Sequence, residues 1–245
     1  MSLQSIKFNE KNATLSILNQ LLVPYQTVYL DITSMAPPLD QDQDQESTHF
    51  SGYDAIKGMY TRGAPAIMLV GVFSIIVELN SVINENKNKW QYNLTDIPIF
   101  KKQLIQRIDK LITSRPTAVN LLNGCNEVKQ IITNFKGTDL QILYKQLLQF
   151  SVQLYKDDLE SNLKIGANGV DYIYKSLAEE GFKGDFSVMT ICNTGSLATS
   201  GHGTALGIIR SLHERSKATT SKSQQSDADA DQFKLSHVQY GFILN

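Results

Sequence analysis

One segment, residues 186–210, constrains the fold of this chain more than any other. It begins as a short, mostly apolar run after Gly184 and Asp185, passes through small and hydroxylated residues, and ends in an apolar pattern of helical spacing. This order predicts a buried strand, a tight loop and a helix. Cys192 would then lie where the strand gives way to the loop, and α/β proteins bind ligands at the carboxyl ends of their strands. Cys192 is therefore a candidate site residue.

The amino-terminal part of the chain predicts a small antiparallel sheet followed by helices. Polar and apolar residues alternate at 5–8 and 13–18 with turn residues between them, which favours a β-hairpin, and residues 26–32 form a third strand candidate. Helical spacing follows, and the predicted helices cover residues 52–60, 65–79, 99–113, 140–161 and 169–180. We predict a flexible seam at 166–169, where two glycines stand close together.

The fold class predicted from this pattern is α/β in two domains. Residues 1–160 would form the domain of sheet plus helices, and residues 161–245 would form the first part of a second domain. Within it, residues 233–245 could begin a second strand of the same sheet. Residues 35–46, which are rich in Asp and Gln, have the composition of a mobile surface loop, and residues 216–231 form a low-complexity segment rich in Ser, Lys, Gln and Asp.

Composition excludes several classes of function. The chain has 245 residues, 42% of them hydrophobic, with 23 Lys and Arg against 24 Asp and Glu, so it can bury a core and has no basic field for nucleic acid. Its longest apolar stretch, residues 64–79, contains Pro65 and Glu78 and is too short for a membrane span. Two distant cysteines, Cys125 and Cys192, favour a reducing compartment, and we expect the cytoplasm, with the nucleus as a second location. Cys125 is expected to be a small buried hydrophobic residue.

Two arginines precede prolines that can open helices. Arg62 stands before Pro65, and Arg115 stands directly before Pro116. A guanidinium beside the free N–H groups of a helix amino terminus suits a phosphate. The alternative is that each arginine pairs with a carboxylate or caps a neighbouring carbonyl, and spacing alone leaves both interpretations open.

Three motifs resemble those of the methylthioribose-1-phosphate isomerase family, especially its fungal members. They are RGAPAI at residues 62–67, SRPTAVNL at 114–121 and CNTGSLATSGHGTALG at 192–207. The resemblance covers residues 1–238. It implies an amino-terminal part with a small antiparallel sheet and helices, followed by a Rossmann-like carboxy-terminal domain that is incomplete in this chain. The same superfamily includes the regulatory α, β and δ subunits of the translation-initiation guanine-nucleotide exchange factor.

The resemblance also implies a reaction, the conversion of 5-methylthioribose 1-phosphate to 5-methylthioribulose 1-phosphate in methionine salvage. By position in the motifs, Arg62, Gly63, Ala64 and Arg115 would contact the sugar-phosphate substrate, and Cys192 would lie beside the reacting carbons. No metal or nucleotide cofactor is implied. Members of the family form homodimers through the carboxy-terminal domain, and nucleic acid and membranes are not expected partners.

The family's sequences continue beyond residue 238 with a general-acid aspartate and further phosphate-binding residues that have no counterpart here. We therefore expect this chain alone to have low stability and little isomerase activity, and we do not expect it to dimerise as the family does. Two other functions remain open. One is a non-catalytic regulatory subunit of the exchange factor. The other is a dinucleotide site at Gly201, Gly203 and Gly207, for which the glycine spacing is wrong.

Overall fold

The structure is a computed structural model that describes residues 3–37, 50–222 and 233–240. It divides into two compact units, Met1–Lys156 and Asp157–Asn245, and each is described by itself. Most of the predicted surface loop at 35–46 lies outside the described residues, as do residues 223–231 of the low-complexity segment and residues 241–245. The loop prediction is wrong for Met35 and Ala36, which are buried because their backbone groups bond Glu78 and Arg107 in the core. The predicted domain boundary at residues 160 and 161 stays a prediction.

The first unit opens with a three-stranded antiparallel sheet of order β1-β2-β3. Its strands are β1 (Ile6–Asn9), β2 (Thr14–Leu18) and β3 (Tyr29–Ile32). Alternate side chains reach the core because strand residues two apart share a face: Leu15 and Ile17 of β2 are buried, and Leu15 pairs with the buried Ile32. The predicted hairpin and third strand are confirmed.

Helices make up the rest of the first unit. They are α1 (Gly52–Lys57), α2 (Ala64–Ile83), α3 (Ile97–Ile112), α4 (Val119–Asn134) and the first part of α5 (Leu140–Glu179). Ser51 caps α1 and Asp96 caps α3 through side-chain hydrogen bonds to backbone N–H groups. Pro65 lies in the first turn of α2, as predicted.

Helix α2 is the centre of the core. The prediction that residues 64–79 are too short for a membrane span is wrong as to length, because α2 has 20 residues and by length and composition could cross a membrane. However, 72% of its most apolar window is buried inside the protein, which is the pattern of a core helix. Helix α4 packs directly on it. A Cβ at Gly124 of α4 would stand 2.7 Å from Met68 Cγ of α2, so this glycine permits the close approach of the two helices.

The predicted flexible seam at residues 166–169 is wrong, because α5 is one helix of 40 residues. Its two glycines lie where neighbouring residues approach closely. A Cβ at Gly166 would stand 2.7 Å from His202 Nε2, and a Cβ at Gly169 would stand 2.7 Å from Ile208 Cγ1. These glycines therefore serve packing, and helix propensity alone could not reveal this.

The second unit contains the rest of α5, β4 (Gly184–Thr190), a short 3₁₀ turn (Ser196–Ala198), α6 (Ala205–Lys222) and β5 (Phe233–Tyr240). β4 and β5 pair in parallel, which confirms the predicted second strand. Phe186 packs edge-on against Tyr174 of α5. No residue of β4 is buried: its residues alternate between half-buried and exposed from Asp185 onward, and the exposed Met189 has 81% of its surface accessible. The prediction of a buried strand is wrong, because the described helices cover one face of β4 only.

Candidate functional site

Arg62 lies in a tight turn between α1 and α2. Met59 and Gly63 both have positive φ, 61° and 95°, and at Gly63 only the absence of a Cβ makes this conformation unstrained. The half-buried Arg62 donates from Nε to the carbonyl oxygen of Met59 at 3.3 Å. It forms no ion pair with any carboxylate of the described residues. Arg62 therefore caps a neighbouring carbonyl through Nε, which is one of the two alternatives to phosphate binding. Its terminal guanidinium nitrogens form no hydrogen bond with described residues.

The amino terminus of α2 has no side-chain cap. Gly63 is the N-cap residue, and Ala64, which begins the helix, is exposed. The first N–H groups of a helix lack intrahelical partners and lie at the positive end of its dipole. Because α1 and α3 are capped by Ser51 and Asp96, this uncapped start differs from theirs and suits an anion.

Arg115 lies in the turn between α3 and α4. Its carbonyl oxygen accepts a hydrogen bond from Ala118 N at 2.9 Å, and Ala118, the N-cap residue of α4, provides no side-chain cap. Within the described ranges the half-buried Arg115 guanidinium forms neither a hydrogen bond nor an ion pair. The prediction that Pro116 opens a helix is wrong, since α4 starts three residues later at Val119.

The two arginine turns start from helix ends that meet at one place on α2. A Cβ at Gly71 would lie 3.8 Å from Ile56 of α1 and 3.8 Å from Leu111 of α3, and it would collide with Leu121 in the first turn of α4. The start of α2 is seven residues from Gly71, or about 10 Å along the helix. Arg62, Gly63 and Ala64 thus lie together at the start of α2, and Arg115 lies in the turn between α3 and α4 of the same unit.

Cys192 belongs to the second unit, where it lies two residues after the end of β4 and is exposed. Its φ is 80°, which is a strained conformation for a residue with a Cβ. Such outliers persist where surrounding structure holds them, and they cluster at functional sites. Thr204 N donates to Thr194 O at 2.9 Å and closes the loop that follows the cysteine.

Helix α5 anchors the far side of this loop. Asp158 accepts hydrogen bonds from Ser200 N at 2.9 Å and from Asn162 Nδ2 at 3.1 Å. Gly203 has φ 92°, and a Cβ there would stand 2.6 Å from Thr194 O, so only glycine fits at this crossing of the loop. The loop is held by these contacts, and it positions Cys192 at the end of the strand.

A cavity of about 650 Å³ lies elsewhere in the first unit, between α4 and α5. Ile131, Phe135 and Phe150 provide its apolar lining, and none of the predicted site residues contributes to it. The described part of the chain holds no group of three or more His, Cys, Asp or Glu side chains arranged for a metal ion.

Sequence analysis did not single out two residues beside the arginines. Thr61 and Ser114, which directly precede Arg62 and Arg115, are buried, and their hydroxyl groups have no hydrogen-bond partner in the part of the chain that the structure describes. The available signal was the repeated order of a hydroxylated residue followed by arginine in both turns.

Comparison with known proteins gives consistent results. A model of the initiation factor 2 subunit family matches residues 60–222. The chain is 49% identical over 238 residues to a methylthioribose-1-phosphate isomerase of Komagataella phaffii, covering 97% of this chain and 54% of the relative. It is 44% identical to the protein of the same name from Candida dubliniensis, covering 97% of this chain and 49% of the relative. The chain thus spans about half the length of these relatives.

Two solved structures share the fold. The 5-methylthioribose 1-phosphate isomerase of Pyrococcus horikoshii superposes with a TM-score of 0.66 at 22% identity, over 87% of this chain and 50% of that chain. The δ subunit of translation initiation factor eIF-2B from A. fulgidus superposes with a TM-score of 0.62 at 27% identity, over 87% of this chain and 52% of that chain. The architecture of α/β type, with a small three-stranded antiparallel sheet and helices, is therefore confirmed.

Proposed function

We propose that this chain, which belongs to the initiation factor 2 subunit family, carries the phosphate-binding part of a 5-methylthioribose 1-phosphate isomerase. The observation that supports this most directly is the pair of arginines, Arg62 and Arg115, which form no ion pair with a carboxylate among the described residues. Arg62 directly precedes the uncapped start of α2, and Arg115 lies in the turn before the uncapped start of α4. Relatives that are 42–49% identical carry the name of that isomerase.

The chemistry of the aldose explains these residue types. Its anomeric oxygen is esterified, so the sugar ring cannot open as a free hemiacetal does, and an acid must release the ring oxygen. The phosphate dianion has to be held in place during this step, and a guanidinium stays charged and offers a planar fork of donors. In the proposed site Arg62 and Arg115 bind the phosphate, and the backbone at Gly63 and Ala64 lies against it.

Cys192 is the proposed catalytic residue. Its thiol would lie beside the carbons between which hydrogen is transferred, where it would stabilise the transition state or carry a proton. Its exposure and its position at the carboxyl end of β4 support this role. The parallel pairing of β4 with β5, joined through α6, supports an incomplete Rossmann-like domain. For location we propose the cytoplasm, with the nucleus as a second compartment.

Binding of 5-methylthioribose 1-phosphate to the purified chain tests the proposal. Calorimetry should detect binding to the wild-type chain, and Arg62→Gln and Arg115→Gln should each weaken it at least tenfold, because each removes a charge-assisted pair. Lys145→Gln makes the same charge change on an exposed face of α5 and should bind as the wild type does. Equal affinity in all four proteins would refute the phosphate site. Turnover measured on the same samples tests the expectation of little activity, which stays a prediction.

A second function has its own support. The match to the initiation factor 2 subunit family and the 27% identity to the δ subunit from A. fulgidus favour a regulatory subunit of the translation-initiation exchange factor. Such a protein would co-purify with the other exchange-factor subunits from cell extract and would not bind the sugar phosphate. An isomerase would give the opposite pair of results.

A further inference from the structure

Two buried hydroxyl groups in the first unit have no hydrogen-bond partner among the residues that the structure describes. Thr61 is 1% exposed and Ser114 is 7% exposed, and within the described ranges neither Thr61 Oγ1 nor Ser114 Oγ is bonded. Their backbone N–H groups are satisfied, by Ala55 O at 3.3 Å and by Leu111 O at 3.0 Å. Burial of an unbonded hydroxyl destabilises a folded protein, so each such group requires a physical reason.

Other buried hydroxyls of the same unit are bonded. Ser74 Oγ donates to Gly71 O at 2.6 Å, and Ser151 Oγ donates to Leu147 O at 2.7 Å. Ser51 Oγ accepts from Asp54 N at 3.2 Å and caps α1. Buried hydroxyl groups elsewhere in this unit are thus hydrogen-bonded, and Thr61 and Ser114 differ from these three serines in their position in the fold.

Each exception directly precedes one of the arginines of the proposed phosphate site. Thr61 lies between Met59 and Gly63, which carry the positive φ angles of that turn, and Ser114 begins the turn that holds Arg115. Polar groups that a free protein leaves unsatisfied are found at ligand sites, where the bound state supplies the missing partner. Among the described residues, the same pairing of an unbonded buried hydroxyl with a following arginine occurs in both turns.

We propose that Thr61 and Ser114 belong to the anion site and that each hydroxyl donates a hydrogen bond to the phosphate group of the bound ligand. The inference rests on the proposed function and adds two donors to its phosphate site. Since both oxygen atoms are buried in the free protein, binding includes a shift of the two turns that brings the hydroxyls to the ligand. A hydroxyl donating to a charged phosphate oxygen forms a shorter and stronger bond than one between neutral groups.

Inorganic phosphate is the probe, and its effect on the melting temperature of the full chain is the measurement, at constant ionic strength. Thr61→Val and Ser114→Ala remove the hydroxyls with little change of shape. Without phosphate they should melt at the same temperature as the wild type or above it, because an unsatisfied buried group is lost. Their dissociation constants for phosphate should rise about tenfold, the loss of one hydrogen bond to a charged group. Ser151→Ala, which removes a bonded hydroxyl, should leave phosphate binding unchanged.

Variants that keep the hydroxyl separate a ligand contact from a packing effect. Thr61→Ser and Ser114→Thr should bind phosphate within about twofold of the wild type, and they remain informative if Thr61→Val fails to fold. Wild-type affinity in both Thr61→Val and Ser114→Ala, with binding lost in Arg62→Gln, would overturn this inference and leave the proposed function intact. A wild-type chain whose melting temperature does not respond to phosphate or to the sugar phosphate would overturn both.

Discussion

Arg107 and Glu78 form a two-point ion pair in the core of the first unit, with Nε 2.5 Å from Oε1 and Nη2 2.7 Å from Oε2. Arg107 also donates to the carbonyl oxygens of Ala36 and Pro37, and Glu78 accepts from Met35 N and from Tyr92 Oη. Burial lowers the pKa of Arg107, but its hydrogen bonds and charge interaction with Glu78 outweigh that effect and raise it. The pair joins α2 and α3 to the segment that follows β3.

Breaking this pair should destabilise the chain strongly. Arg107→Leu leaves the Glu78 carboxylate buried without its cation, and we expect the free energy of unfolding to fall by about 3–5 kcal/mol. Lys164→Ala is the matched control, because it breaks an exposed ion pair with Glu160 and should change stability by less than about 0.5 kcal/mol. Urea denaturation compares the two. If the free energy of unfolding fell by a similar small amount in both variants, the buried pair would contribute no more to stability than a surface pair does.

Tyr92 should make the chain less stable at alkaline pH. Burial, followed by the charge of Glu78, raises the pKa of Tyr92 well above its ordinary value. Below pH about 10 the phenol is protonated in both states, and above it only the unfolded chain releases the proton. The free energy of unfolding therefore falls as pH rises from about 10 toward the pKa of the folded protein, by up to about 1.4 kcal/mol per pH unit.

The test is denaturation at pH 9 to 11. Tyr92→Phe should lose this part of the pH dependence, whereas Tyr25→Phe, at a residue that is 92% exposed, should keep it. Burial also raises the pKa of Cys125, to about 12, so part of the alkaline loss belongs to that thiol and remains in Tyr92→Phe. Identical slopes in wild type and Tyr92→Phe would contradict the assignment.

The two cysteines should differ in reactivity toward a disulfide reagent. Cys192 is exposed, whereas Cys125 is buried, and burial raises its pKa to about 12, which keeps it in the unreactive thiol form. We expect one thiol to react in the native chain and two in guanidinium chloride. Cys192→Ser should abolish the native reaction, and Cys125→Ala should preserve it. Fast reaction of both thiols in the native chain would show that α4 does not protect Cys125.

Gly169→Ala should destabilise the second unit although alanine favours helices. The new Cβ would stand 2.7–2.8 Å from three side-chain atoms of Ile208, whose branched side chain moves little. We expect a loss of about 1–3 kcal/mol by overpacking. Asn168→Ala, at the adjacent exposed position, should be neutral or stabilising. A higher melting temperature for Gly169→Ala would indicate that α5 and α6 do not pack at this point.

The local patterns that predicted correctly are those fixed by neighbouring residues. Alternation predicted the strands of the first sheet, and Pro65 predicted the start of α2, because strand period and proline geometry act within a few residues. Glu78 in an otherwise apolar helix was a signal that a buried cation must exist. Its identity as Arg107, 29 residues later, required the packing of α2 against α3.

By itself the sequence determined the strands of the first sheet, the start of α2, the burial of Cys125 and the family to which the chain belongs, because these follow from periodicity, residue chemistry and long motifs. Only the tertiary structure decided that α5 continues through Gly166 and Gly169, that β4 has an exposed face, and that the turns of Arg62 and Arg115 start from helix ends meeting at Gly71. These outcomes depend on which distant segments fill the space around a residue, and no local pattern encodes that.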